Sequence, residues 1–184
     1  RQGVTLEVLG EGESMGPLNA QMKEAAIENQ GDIRYDVPWT TLNGYLKHLV
    51  QRGVSCNVAS FVGATTVRIH EIGYADRAPT PAELNRMKQL VRQAMEEGAL
   101  GISSALIYTP AFYAKTDELI ELCRVVSAYG GIYISHLRSE GNAFLEGLDE
   151  LIRIAREAHV PAQIYHLKAA GQANWPKLGA AIEK

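Results

Sequence analysis

Ile132-Tyr133-Ile134-Ser135-His136 and its counterpart Ala162-Gln163-Ile164-Tyr165-His166 decide how this chain is read. Both are short, apolar, β-branched runs that end on a histidine, and the two histidines stand 30 positions apart. Near-continuous apolar character, without strict alternation, suits strands buried on both faces of a parallel sheet. About 30 residues is the length of one strand–helix unit, so the two histidines fall at equivalent places in successive units.

Working outward, the same kind of run recurs at residues 4–9, 54–62 and 99–103, giving five strand candidates in all. Helical patterns separate them. Thr80-Pro81-Ala82-Glu83 supplies an N-cap, a proline at the first helical position and a glutamate placed for a capping box. That helix carries Leu84, Met87, Val91, Ala94 and Met95 toward a core and stops near Gly98. Another begins at Thr116, where Asp117 and Glu118 complement the helix dipole, and a third spans about 142–159 before Pro161. Further helices are expected at 18–29, 39–52 and from Asn174 onward. Residues 63–79 show no periodicity and read as a long loop after the second visible strand, with His70 inside it. Strand–helix alternation of this regularity predicts an α/β fold with right-handed crossovers.

Composition narrows the function. The 184 residues are 46% hydrophobic and 21% charged, ordinary for one globular domain. A net charge of −3 gives no electrostatic reason to expect nucleic acid or an anionic membrane as partner, and no apolar run is long enough to span one. Cys56 and Cys123 sit in apolar settings without a Cys-x-x-Cys pair, which excludes a zinc knuckle and fits a reducing cytoplasm.

A closed barrel needs eight strands and roughly 250 residues. Five strands and a chain ending within a helical pattern predict a segment of a longer barrel; a complete five-stranded doubly wound domain is the alternative. In a barrel, His136 and His166 would share the carboxyl-terminal mouth, where neutral imidazoles ligate zinc and similar ions. From spacing alone, polar residues capping strand ends would look the same. His48 and His159, near helix C-termini, suit the helix dipole better than a site.

Four stretches carry a resemblance to a family: Asn57-Val58-Ala59-Ser60-Phe61-Val62-Gly63, Ala94-Met95-Glu96-Glu97-Gly98-Ala99-Leu100-Gly101, His136-Leu137-Arg138-Ser139-Glu140-Gly141 and His166-Leu167-Lys168-Ala169-Ala170-Gly171. In order and spacing they resemble the N-acyl-D-amino-acid deacylases, the D-aminoacylase branch of the metal-dependent amidohydrolases. The resemblance extends from Gln2 to the end of the chain. It implies a distorted (β/α)8 barrel beside a small β-sandwich, with residues 1–184 as one partial catalytic domain holding the second to sixth strands. It also implies hydrolysis of a small N-acyl-D-amino acid with one or two divalent ions, zinc first, that acidify water and polarise the scissile carbonyl.

On this resemblance His136 and His166 match metal ligands, Lys168 a residue that contacts the substrate carboxylate, and Tyr108 a tyrosine near the reacting carbonyl. Arg138 could hold a carboxylate through a bidentate contact or pair with a neighbouring glutamate. Many members place a metal-bridging cysteine after the second strand; this chain reads Leu9-Gly10-Glu11-Gly12-Glu13-Ser14 there. Glu11, or after it Glu13, is the expected replacement, because a carboxylate also bridges metals. The family's His-x-His pair and its aspartate general base would lie before residue 1 and beyond residue 184, so this stretch alone is expected to be inactive and to bind metal weakly. A cyclic amidase of the dihydroorotase or hydantoinase type and a non-catalytic α/β binding scaffold are the alternatives. The scaffold requires that Glu11, His136, His166 and Lys168 do not converge. Open sheet edges on a partial barrel predict self-association.

Overall fold

The computed structural model describes residues 2–184. Strand β1 (Leu6–Leu9) is followed by α1 (Ala20–Glu28) and α2 (Leu42–Arg52), then β2 (Asn57–Ser60), β3 (Val62–Gly63), α3 (Ala64–Ile72) and α4 (Pro81–Glu96). The rest alternates: β4 (Gly101–Ala105), α5 (Thr116–Ser127), β5 (Ile132–His136), α6 (Phe144–Ala158), β6 (Ala162–Ile164) and α7 (Lys177–Ile182).

Every strand pairing is parallel, in the order β1–β2 and β3–β4–β5–β6. The two sheets meet at Phe61. Its N–H donates to Leu9 O at 2.9 Å, while Leu100 N–H donates to Ser60 O at 3.0 Å. Residues 57–63 thus form one bent strand that pairs with β1 through its first half and with β4 through its second. This restores the expected five-strand order. The sheet also curls: Tyr165, just past β6, donates its hydroxyl to Gly10 O at 3.3 Å, just past β1, although those strands are the two sheet edges. Burial, then the Glu11 charge, pushes that phenol up to about 12, so it stays a donor at neutral pH.

The main core lies between β3–β6 and helices α3–α6. Val62, Val67, Met87, Val91, Leu122, Cys123, Val126, Tyr133, Phe144 and Ile154 are wholly buried there. Each such aliphatic or aromatic side chain contributes about 1.5–3 kcal/mol of hydrophobic stabilisation. Burial raises the Cys123 thiol well above its ordinary range and leaves it a packing residue. A smaller cluster of Leu18, Val37 and Trp39 sits under α1. No described helix is long and apolar enough to cross a membrane.

The capping box at α4 forms as the sequence predicts, with Thr80 and Glu83 bonded reciprocally. Residues 63–79 correct the expectation: Ala64–Ile72 is helix α3, and His70 lies on it. Thr65, Thr66, Val67 and Ile69 are β-branched and poor intrinsic helix formers. Residues 64–68 are also buried without a break, so no amphipathic stripe announces the helix. Packing on all sides overrides propensity. Thr65 N–H donates to Gly12 O at 3.1 Å, and Arg68 lies buried against Glu118, 2.6 Å apart. The β3–α3 junction also needs a glycine, because a Cβ on Gly63 would stand 2.5 Å from Gly12 O.

Candidate metal centre

His136 is the last residue of β5, and His166 follows the end of β6 by two residues, where Tyr165 N–H still donates to Ser135 O at 3.1 Å. Strand register therefore carries both imidazoles to the carboxyl ends of neighbouring strands. Their ring centroids are 4.5 Å apart with planes at 86°. His136 is buried, and its Nδ1 lies 3.1 Å from Leu137 O. A carbonyl only accepts, so this bond assigns the proton to Nδ1 and leaves the Nε2 lone pair facing the centre.

Glu140 completes the group. Its Oε1 lies 3.3 Å from His136 Nε2, 3.1 Å from His166 Nδ1 and 3.2 Å from Lys168 Nζ. Yet Glu140 Oε1 and His166 Nδ1 are both buried without a hydrogen-bond partner. Buried donors and acceptors left unpaired are costly, and here they converge on one another without bonding geometry. Ligands about 2.0–2.1 Å from a tetrahedral zinc lie about 3.3–3.4 Å from one another. The Glu140–histidine separations, 3.3 and 3.1 Å, lie close to that spacing, and ligand atoms of all three residues lie within 4.8 Å of one another, so two imidazoles and a carboxylate can gather around a divalent ion.

Glu140 has no role in the sequence expectation, although it stands inside a quoted stretch. A turn, not a strand, positions it: Gly141 N–H donates to Ser139 Oγ at 3.2 Å, and Ala170 N–H donates to Glu140 O at 2.6 Å. The available signal was a carboxylate four residues after a strand-end histidine.

The other expected residues separate into two groups. Glu11 Oε1 is 3.7 Å from His166 Nε2 and half-exposed, on the rim of the cluster. Tyr108 meets His136 edge-on with centroids 5.4 Å apart. A cavity of about 340 Å³ opens beside them, lined by Glu11, Glu13, Thr65, Tyr108 and Thr109 among others. Glu13 thus reaches that cavity and not the histidines. Of the two places expected for Arg138, the structure shows the pairing with a glutamate. Its Nε and Nη2 each donate to the Glu150 carboxylate at 2.8 Å, and its Nη1 and Nη2 reach Phe112 O and Ala114 O. In this structure the guanidinium is engaged by the Glu150 ion pair. Glu11, His136, His166 and Lys168 do gather at one mouth, which removes the ground for a scaffold without a site.

Parallel strand–helix units with imidazoles at the ends of adjacent strands, and a carboxylate turned between them, define a segment of a (β/α) barrel whose mouth can hold a metal ion. No family model matches the chain. It is 39% identical over 178 residues to a D-aminoacylase of Alcaligenes xylosoxydans xylosoxydans, covering 95% of this chain and 36% of that protein. With an N-acyl-D-aspartate deacylase of the same organism it shares 33% identity over 175 residues, 94% of this chain and 35% of the relative. Among solved structures, it superposes on N-acyl-D-glutamate deacylase from Bordetella bronchiseptica, complexed with zinc and a phosphonate inhibitor. The TM-score is 0.87, with 28% identity and coverage of 99% of this chain and 38% of that one. A crystal structure of D-aminoacylase matches with a TM-score of 0.84 and 33% identity, over all of this chain and 40% of that one. Over essentially its whole length the chain is similar to D-aminoacylase and related N-acyl-D-amino-acid deacylases. It spans a little over a third of the length of these curated relatives, 36% and 35%.

Proposed function

We propose that the protein to which this stretch belongs hydrolyses the amide bond of N-acyl-D-amino acids with a divalent metal ion, zinc first, held by His136, His166 and Glu140. The carrying observation is the convergence of Glu140 Oε1 and His166 Nδ1, buried and unbonded, beside the His136 ring. An ion bound there supplies Lewis acidity toward water and the scissile carbonyl.

The chain's own side chains do the rest of what lies here. Leu137 O fixes the His136 tautomer so that Nε2 faces inward. Lys168, held 3.2 Å from Glu140 and half-exposed, offers an ammonium to the substrate carboxylate. In this reading Tyr108, edge-on to His136 with centroids 5.4 Å apart, presents its phenol to the reacting carbonyl, and the adjoining cavity takes the acyl group or the side chain. We retain Glu11 as a further ligand from the rim, a role that requires its carboxylate to swing from the Nε2 side of the His166 ring, 3.7 Å away, to the Nδ1 side that faces Glu140. The general base and further ligands belong to strands outside residues 1–184, next to a small β-sandwich, so this stretch is a partial catalytic domain.

The substrate is a small molecule. Exposed Leu6 and Val8 on β1 support self-association of the stretch by itself. Two free cysteines, one half-buried and one buried, suit a reducing cytoplasm.

The test is release of free D-amino acid from N-acetyl-D-amino acids by the intact protein, first stripped with a chelator and then given zinc. Turnover is expected to vanish and return. Turnover indifferent to metal, or none with zinc restored, would sink the reading.

A further inference from the structure

Arg138 lies two residues past His136, yet its guanidinium turns away from the imidazoles and into the seam between three other elements. Four of its donor contacts are made at 2.7–2.8 Å: two to the Glu150 carboxylate on α6, one to Phe112 O and one to Ala114 O. Glu150 Oε1 also accepts from Thr116 Oγ, at the first turn of α5, at 2.9 Å. The Phe112 ring lies under the guanidinium, 5.7 Å from its carbon.

Phe112 and Ala114 belong to the segment 106–115 that links β4 to α5 and carries Tyr108. Its near end is fixed to the metal-centre strand, since Leu106 N–H donates to His136 O at 3.1 Å. Within it, Phe112 N–H donates to Tyr108 O at 2.8 Å, so the residue that Arg138 grips is bonded directly to the tyrosine's carbonyl. Tyr108 itself is 62% exposed, and its own packing does little to set its position.

We propose that Arg138 is a positioning residue, locking the 106–115 segment against the end of β5 and thereby fixing Tyr108 over His136. A planar fork is needed for this. It donates in parallel to a carboxylate while its outer N–H groups reach two carbonyls, and an ammonium on a lysine stem offers no such geometry. The inference rests on the deacylase reading for its kinetic consequence. The mechanical claim stands on the contacts alone.

The experiment uses the intact zinc-loaded protein with R138M, R138K, Y108F and R138M/Y108F. R138M is expected to lower kcat about 10- to 100-fold, the cost of a misplaced reacting group, with zinc content unchanged. R138K should recover little of that. In the Y108F background, R138M should cost almost nothing more, because the two act through one phenol. Amide exchange in R138M should rise across 106–115 and stay unchanged in β4 and β5. Full, independent losses from R138M with and without the Tyr108 hydroxyl would overturn the proposal, as would unchanged exchange in the segment. A wild type that turns over no N-acyl-D-amino acid would refute the functional reading instead, and the exchange measurement would still decide whether Arg138 locks the segment.

Discussion

Glu140 is the residue on which the site turns. One carboxylate oxygen faces two imidazoles and an ammonium, and no hydrogen bond satisfies it. As a ligand, it should be felt in affinity: E140Q is expected to weaken zinc binding by at least the 10- to 100-fold that even an outer partner's loss produces. Chelator competition on the intact protein reads this directly. Wild-type affinity in E140Q would leave Glu140 as a tether for Lys168 only. Glu11 makes a smaller claim from the rim, and E11Q should lower metal content or turnover; if both stay unchanged, Glu11 is a cavity wall. The two histidines were legible in the sequence because strand periodicity alone carries them to the mouth. Glu140 was not, because the turn bonded through Ser139 and Ala170 that aims it leaves no period. Arg138 was half legible: sequence offered both a substrate carboxylate and a glutamate partner, and only the fold brings Glu150 within reach.

Among the elements, the strands were readable because burial on both faces leaves continuous apolar runs, and α4 because its cap is written out as Thr80-Pro81-Ala82-Glu83. The Glu83 carboxyl sits well below the ordinary carboxylate range, first through the hydrogen bond from Arg77 and then through the backbone N–H of Thr80. A carboxyl depressed in the folded state contributes stability above its unfolded pKa and loses it as pH falls through the folded value. Carboxyl titration by NMR should therefore show Glu83 protonating well below the ordinary carboxylate range, and E83Q should remove the acid-dependent part of the stability at the α4 terminus. Helix α3 escaped reading for the opposite reason, since it is buried nearly all round and built from β-branched residues. What anchors it is the Arg68–Glu118 pair, with side chains 1% and 4% exposed. Burial pushes the Glu118 carboxyl up, and Arg68 opposes that shift. R68M alone should cost about 3–5 kcal/mol in urea unfolding by stranding a buried carboxylate, and R68M/E118M should recover most of it. Equal losses in the single and double variants would mean that shape, not charge, holds α3.

At the scale of the molecule, five parallel strands curl until residues beyond opposite edges meet, with Tyr165 bonded to Gly10 O and His166 beside Glu11. The edges themselves stay open, and β1 turns Leu6 and Val8 outward, 52% and 51% exposed. Residues 1–184 alone should therefore sediment as a self-associating species, and V8K should shift them toward monomer. A monodisperse monomer would show the edges to be harmless. The central claim is that the mouth of this curled sheet is a metal centre built from β5, β6 and the turn between β5 and α6. The most direct test is zinc-edge anomalous diffraction from the zinc-loaded intact protein. The account predicts one ion about 2.0–2.1 Å from an imidazole nitrogen of His136, one of His166 and an oxygen of Glu140. Zinc bound elsewhere, or a mouth that takes up none, would contradict it.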